Sequence, residues 1–452
     1  MSSTPPDFPF GSADDLFSEM NRMMATPVDG PVAWDLAVQT AIAMCEAPAL
    51  AAGSAAGRSA GPEAASTTHF DVDASLRVAD LWIDPVTSWP SGIAVSAAWS
   101  PVDWVHATLP VWKRLCDPVA RSVARTMQET MGDGLRAIQE STESGEDLTA
   151  QLREALPEGV ELPEGFDLHQ VTAAIGPLMG MLEHVSAVML GGQIGQAIGR
   201  LATEVQTSSD IGIPLGLPGT AAMLPAAVGA YAEGLQVDLD QVGLYLALRE
   251  AAHQRLYAHV PWLRAHVLAA VEAYAAGVSV DPEALQRRVS EAFGDLEPEA
   301  LADPERLQQA IASGLFSQEP SPTQELALNR LETLLALIEG WVEHVAGKAA
   351  QGRLPGLDAL RESVRRRRAA GGPAEHTFAA LVGLDLRPKR LRTAAGLWEA
   401  IEQKRGSAGR DSIWEHPDLL PSSADLDDPL DFLSPPSDTA QMPDGPEELL
   451  GE

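Results

Sequence analysis

Three glycines spaced four residues apart, Gly191, Gly195 and Gly199, lie inside the apolar stretch LMGMLEHVSAVMLGGQIGQAIGRLATEV. On a helix this spacing puts all three on one face. A face without side chains admits a second backbone at close range, so the stretch predicts a tightly packed helix pair. A phosphate-cradling glycine loop would need a preceding strand, and the residues ahead of it show none. The same glycines, with Gln193 and Gln196, interrupt the most apolar run of the chain. No uninterrupted apolar segment of about 18 residues remains, and no membrane span is predicted.

The rest of the chain reads almost entirely as helix, so the expected fold class is mainly α. Residues 1–30 read as a flexible arm, 31–406 as a helical body and 407–452 as an acidic, largely disordered tail. The small, low-complexity segment 51–66 and the acidic, proline-punctuated segment 141–166 read as loops. Five of the ten tryptophans fall between Phe70 and Met131, a density that suits packed helices. Asp84-Pro85 and Ser100-Pro101-Val-Asp103 carry helix stop and start chemistry. Residues 207–222, TSSDIGIPLGLPGTAA, cannot continue a helix and suit a short β element ahead of helices at 224–234 and 238–259; the second of these reads as amphipathic. Pro261 ends it. Further helices are expected at about 262–277, 282–294, 304–314, 323–350, 356–369, 373–382 and 388–405.

Charge narrows the function classes. The formal net charge is −33, with a pI near 4.5. Such a chain repels nucleic acid and anionic membrane surfaces, which require clustered Lys and Arg. One basic run stands out, RESVRRRR at 361–368; it is expected to pair with local carboxylates on a solvated face. The segment from Glu415 to Glu452 holds 11 acidic residues and no Lys or Arg. Two cysteines, Cys45 and Cys116, lack a CxxC partner and are expected in the core of a protein kept reduced. With no leader-like N-terminus, the expected location is the cytoplasm.

Residues 246–263, LALREAAHQRLYAHVPWL, contain Glu250-Ala-Ala-His253, the last four residues of the zinc-protease signature HExxH. In that signature two histidines at i and i+4 share one helical face and one metal, and the glutamate activates the metal's water. Here Glu250 would be the base, His253 the second ligand, and Arg249 stands where the first histidine belongs. A further ligand must come from elsewhere. His259 lies six residues after His253, but Leu256 occupies the place of the glycine that would turn the chain. On an unbroken helix that step rotates the side chain about 120° away. The stronger candidate is Glu339, in LLALIEGWVEHVAGK, where Glu343 follows one turn later and His344 is adjacent. Carboxylates among Leu335, Leu337, Ile338 and Trp341 need a cation beside them. A zinc ion could serve, and so could Arg249.

The segments REAAHQRLYAHVPWLR, ALIEGWVEHV, LVGLDLRPKRLRTAAGLWEAI and GRDSIWEHPDLLPSSADLDDPLDFL resemble a bacterial family of zincin-like metallopeptidases, from about Val32 to Leu433. A related branch, associated with biosynthesis of a deazaflavin coenzyme, keeps a full HExxH at the corresponding place. The resemblance implies a mainly helical zincin-like fold, a zinc cofactor and peptidase activity on a peptide or protein substrate. It assigns the base to Glu250 and metal ligands to His253 and Glu339. Arg249 departs from it, because a guanidinium is always charged and offers no lone pair to a metal. Only His259 or His344 could replace the missing ligand.

Three readings follow. The chain is a metal-dependent hydrolase; or a zincin scaffold whose Arg249–carboxylate cluster binds a peptide or partner protein without cleaving it; or a structural helical protein. An Arg249 that pairs with Glu339 separates the second from the others.

Overall fold

A computed structural model describes residues 30–56, 70–143, 168–235, 237–276, 322–369, 377 and 390–433. The N-terminal arm, most of both expected loops, the helices expected at 282–294 and 304–314, and nearly all of 373–382 lie outside the described residues. In chain order the elements are α1 (Trp34–Ala56), α2 (Val72–Ile83), β1 (Val95–Ala98), α3 (Pro101–Glu143) and α4 (Leu168–Glu204). Next come β2 (Thr220–Met223), α5 (Pro225–Glu233), α6 (Leu239–His259), α7 (Leu263–Ala276) and α8 (Pro322–Ala350). The chain continues with α9 (Leu357–Ala369), α10 (Leu391–Asp411), two 3-10 turns (Ser412–Glu415 and Pro417–Leu419), α11 (Ser423–Asp427) and α12 (Pro429–Leu433). The fold is mainly α, as the sequence predicts, and none of these helices is long and apolar enough to cross a membrane.

Local chemistry sets the helix ends. Asp71 caps α2 by accepting from the Ala74 N–H at 2.9 Å, and α2 stops before Asp84-Pro85. Before α3, Ser100 and Asp103 exchange bonds: the Ser100 N–H donates to Asp103 at 2.8 Å and the Asp103 N–H donates to the Ser100 hydroxyl at 3.1 Å. That reciprocal cap, with Pro101 as first helical residue, is the start that the sequence signals.

The glycine face of α4 packs on α1. A Cβ at Gly191, Gly195 or Gly199 would lie 2.5, 2.4 or 2.9 Å from the carbonyl oxygens of Ala33, Ala37 and Ala41. Alanines at the same four-residue spacing, Ala33 just before α1 and Ala37 and Ala41 on it, thus meet the glycines one for one. Trp34 of α1 also donates to Asp117 of α3 at 2.9 Å. Cys116 is buried on α3 and Cys45 half-buried on α1; both are free thiols.

The β element is a two-stranded parallel pair, Val95–Ala98 against Thr220–Met223. The second strand falls at the end of the segment expected to hold a strand. The first was not foreseen, since its partner is far downstream and four residues carry too little pattern. The other edge of β2 is covered by residues 206–208: Thr207 bridges Met223, the Ser208 N–H donates to the Ala222 carbonyl, and the Leu224 N–H donates to the Gln206 carbonyl.

Two further expectations are corrected. Helix α6 is not amphipathic: every residue from Tyr245 to Leu256 is buried. A helix enclosed on all sides must pair its polar side chains internally. Arg255 does so toward α2, donating to Asp80 and Asp84 and to the Trp89 carbonyl. The second correction concerns the tail, which is ordered through residue 433. Ile413, Trp414 and Leu426 are buried, and Trp414 stacks on Trp398 with ring centroids 5.3 Å apart. These few apolar anchors fold a stretch whose average composition reads as disordered.

The α1–α4 contact generates a direct expectation. Gly195→Val should lower unfolding free energy by about 1–3 kcal/mol or more, as overpacking does. Gly192→Ala, at a position open to 4 Å, should be neutral or stabilising by up to about 1 kcal/mol. Urea unfolding of the two variants checks both.

Candidate functional site

Tyr245, Arg249, His253 and Tyr257 recur every four residues and form one stripe along α6. Glu339 and Glu343, also four apart, face it from α8. The Arg249 Nη2 lies 2.5 Å from Glu339 Oε2, with side-chain exposures of only 7% and 1%. The His253 Nε2 lies 3.0 Å from Glu339 Oε1. From α9, the Arg368 Nη2 reaches the same Oε1 at 2.9 Å. One buried carboxylate therefore holds two guanidinium groups and an imidazole from two other helices.

His253 is fixed at both nitrogens. Its Nδ1 is 2.9 Å from the Arg249 carbonyl. Both contacts end on oxygens, so the ring is held in place from both of its nitrogen edges. Burial alone would raise the Glu339 pKa, but Arg368, His253 and Arg249 outweigh it and hold the carboxyl well below the ordinary range. Burial pulls Arg249 down, but Glu339, Tyr245 and Glu343 together outweigh it and raise its pKa, so it stays charged. Arg368 is shifted down: burial exceeds the attraction of Glu339, and Arg249 repels it.

Gly212 closes the site from the loop before β2. Its φ is +74°, and a Cβ there would lie 2.7 Å from Glu339 Oε1. Only glycine combines that backbone with that approach. The Gly212 carbonyl accepts from the Tyr257 hydroxyl at 2.7 Å.

Glu250 points to different partners. Its carboxylate is fully buried and accepts from the Ser208 hydroxyl at 2.5 Å, the Ser209 N–H at 3.0 Å and Gln254 Nε2 at 2.9 Å. These neutral donors anchor the 207–212 loop to α6.

The remaining candidates divide. Glu343 is part of the cluster and accepts from Arg365 Nε at 2.8 Å and from Arg361. His259 is not: it bonds the Pro90 carbonyl at 3.0 Å and stacks on Trp89. This agrees with the rotation expected for a step of six. His344 also lies elsewhere, in a second cluster where Glu402 takes His344, Lys348 and Arg410. Burial would raise the Glu402 pKa, but those three partners lower it to about 2. Neither histidine substitutes for the missing ligand.

The basic run belongs to the site as well, which corrects the solvated-face expectation. Arg361 and Arg365 meet buried Glu343, Arg368 meets buried Glu339, and Arg367 meets Asp210 at 3.0 Å. Positions 361, 365 and 368 share one helical face. That spacing was visible in the sequence and could have directed the run inward.

Residues 32–433 match the sequence pattern of the family described as zincin-like metallopeptidase. The chain belongs to that family. A crystal structure from Chloroflexus aurantiacus, described as a "putative hydrolase with a novel fold", is similar to this zincin-like chain with a TM-score of 0.53. It is 15% identical, and the match covers 89% of this chain and 97% of the other. At that identity the likeness is one of fold. No curated protein matches the chain.

The family implies zinc, and the donor set of this zincin-like chain does not fit it. A zinc hydrolase site takes three protein donors and a water. His253 Nε2 and Glu339 Oε1 are close enough to touch one ion, but Arg249 and Arg368 press two cations on the same carboxylate. Among the described residues no group of three or more His, Cys, Asp or Glu could hold a metal.

The cluster predicts an asymmetry in mutant stability. Glu339→Gln leaves Arg249 and Arg368 buried without their carboxylate and should lower stability by about 3–5 kcal/mol. Arg249→Met leaves Glu339 with Arg368 and His253 and should lower it by less, about 1–3 kcal/mol. Denaturant unfolding of both variants checks the order; the reverse order would contradict this charge assignment.

Proposed function

We propose that this chain is a zincin-like scaffold that binds a peptide or partner protein without hydrolysing it, with an ion-pair cluster in place of a metal centre. The observation that carries this reading is the buried Arg249–Glu339 pair at 2.5 Å. Zinc and the guanidinium compete for the same carboxylate, and the guanidinium is covalently present and always charged. The bonds at Glu250 support the same reading. A general base must reach a reacting water, and this carboxylate is committed to Ser208, Ser209 and Gln254. Its role is to position the 207–212 loop, which carries Gly212 against Glu339.

One feature of a metal site persists. The Nδ1 of His253 meets a backbone carbonyl while Nε2 faces Glu339, the orientation of a metal-binding histidine. Restoring the missing histidine is therefore the informative experiment. Arg249→His should take up about one zinc per chain by calorimetric titration, whereas the native chain should not, and the native chain with added zinc should leave an unstructured peptide substrate intact. Zinc-dependent hydrolysis by the native chain that Glu250→Gln abolishes would overturn the proposal.

A further inference from the structure

Helix α9 is held to the body by a different kind of contact from its neighbours. Helix α8 buries most of its residues from Leu331 to Ala350, and α10 buries Leu397, Trp398 and Ile401. On α9, Leu360 and Val364 are the buried apolar residues among those described. Polar contacts do the rest. Arg361 and Arg365 end on Glu343. Arg368 ends on Glu339 at 2.9 Å and on the Asp210 carbonyl at 2.7 Å. Arg367 ends on the Asp210 carboxylate at 3.0 Å and on the Glu204 carbonyl at 2.6 Å. Ser363 shares a bond with the Tyr231 hydroxyl at 2.7 Å. The partners come from α4, α5, α8 and the 207–212 loop, so α9 crosses the cluster like a strap.

Its two ends differ. The turn that leads into α9 is anchored by packing: Leu354 is buried, the Gly356 N–H donates to Gln241 Oε1 at 2.9 Å, and a Cβ at Gly356 would lie 2.9 Å from Val237. Gly352, with φ +71° and open space around it, turns the chain there. Past Val364 the helix depends on its arginines. Arg361, Arg365, Arg367 and Arg368 stay 32, 27, 23 and 16% exposed, so dissolved ions reach them and screen their pairs. Once unpaired, arginines three and four apart on one helix repel one another.

We propose that α9 is a hinged strap, anchored at residues 352–356 and held closed by these ion pairs, whose release uncovers Glu339 and His253. The inference rests on the reading of the cluster as an ion-pair binding site and supplies its regulation. In the closed form Arg368 occupies Glu339 Oε1, the oxygen that His253 also meets. That is an autoinhibitory contact. Release gives up few apolar contacts and exchanges arginine–carboxylate bonds for water. It does not strand Glu339, which keeps Arg249 and His253 from α6.

The test is amide hydrogen exchange of the full chain, with a chelator present, at about 0.1 M and about 1 M sodium chloride, between which the screening length falls from about 10 Å to about 3 Å. Amides of residues 361–368 should exchange about tenfold faster at the higher salt, while α6, α8 and α10 stay protected. Helix α10 is the internal control, because it carries the Glu402 ion pairs but also buries Trp398. Hydroxyl-radical labelling of His253, whose side chain is 2% exposed, should rise with salt relative to that of His416, 63% exposed. Arg367→Gln removes bonds made by a partly exposed side chain, so it should fold and shift the release to lower salt. Exchange of α9 that ignores salt, that quickens only together with α6 and α8, or that quickens while His253 stays unlabelled overturns the strap and leaves the Arg249–Glu339 reading intact. So does an unchanged profile in Arg367→Gln. Release at low salt when zinc replaces the chelator overturns both, because a metal would then be displacing Arg368 from Glu339.

Discussion

A carboxylate buried on α8 organises this molecule. Glu339 sits in an apolar helix, where an isolated anion would be prohibitively costly. The fold answers with two guanidinium groups and an imidazole from two other helices, Arg249 and His253 on α6 and Arg368 on α9. Those contacts fix the relative position of the three helices. They also account for Gly212, because a crowded carboxylate leaves the 207–212 loop no room for a side chain. Helix α6 is the common member: it sends Arg249 to α8, Glu250 to the loop and Arg255 to α2.

The same logic closes the far end of the body. Glu402 gathers His344, Lys348 and Arg410, while Asp411 accepts from Thr87 at 2.5 Å and from Trp341 at 3.1 Å. This second cluster ties α10 to α8 and to the segment after α2. It explains why the region past residue 406 folds despite its acidic composition. Although the net charge is strongly negative, these arginines are turned inward, where each satisfies a buried carboxylate. The surplus of acid lies elsewhere on the chain.

How much of this was legible depended on how far apart the partners lie. The glycine face of α4, the cap at Ser100 and the stop at Asp84-Pro85 depend on neighbours within a turn or two, and the sequence displays them directly. The pairing of residues near 250 with Glu339 was legible because two polar residues amid apolar helices demand each other. Strand β1 was hidden, because the strand it pairs with lies far along the chain. The inward turn of Arg361, Arg365 and Arg368 was hidden behind local carboxylates that offered an easier explanation. Glu250 is a different case: the motif points to chemistry, while its partners Ser208 and Ser209 come from a loop with no motif at all.

Family membership and site chemistry therefore say different things. The family's sequence pattern spans residues 32–433, yet Arg249 stands where the HExxH signature has its first histidine, a cation in place of a donor. The most direct test is a crystal of the native chain soaked in zinc, with anomalous scattering recorded at the zinc edge. The account predicts guanidinium density of Arg249 against Glu339 and no anomalous peak beside it. A peak about 2.0–2.2 Å from both His253 Nε2 and a Glu339 oxygen, with Arg249 swung away, would contradict it.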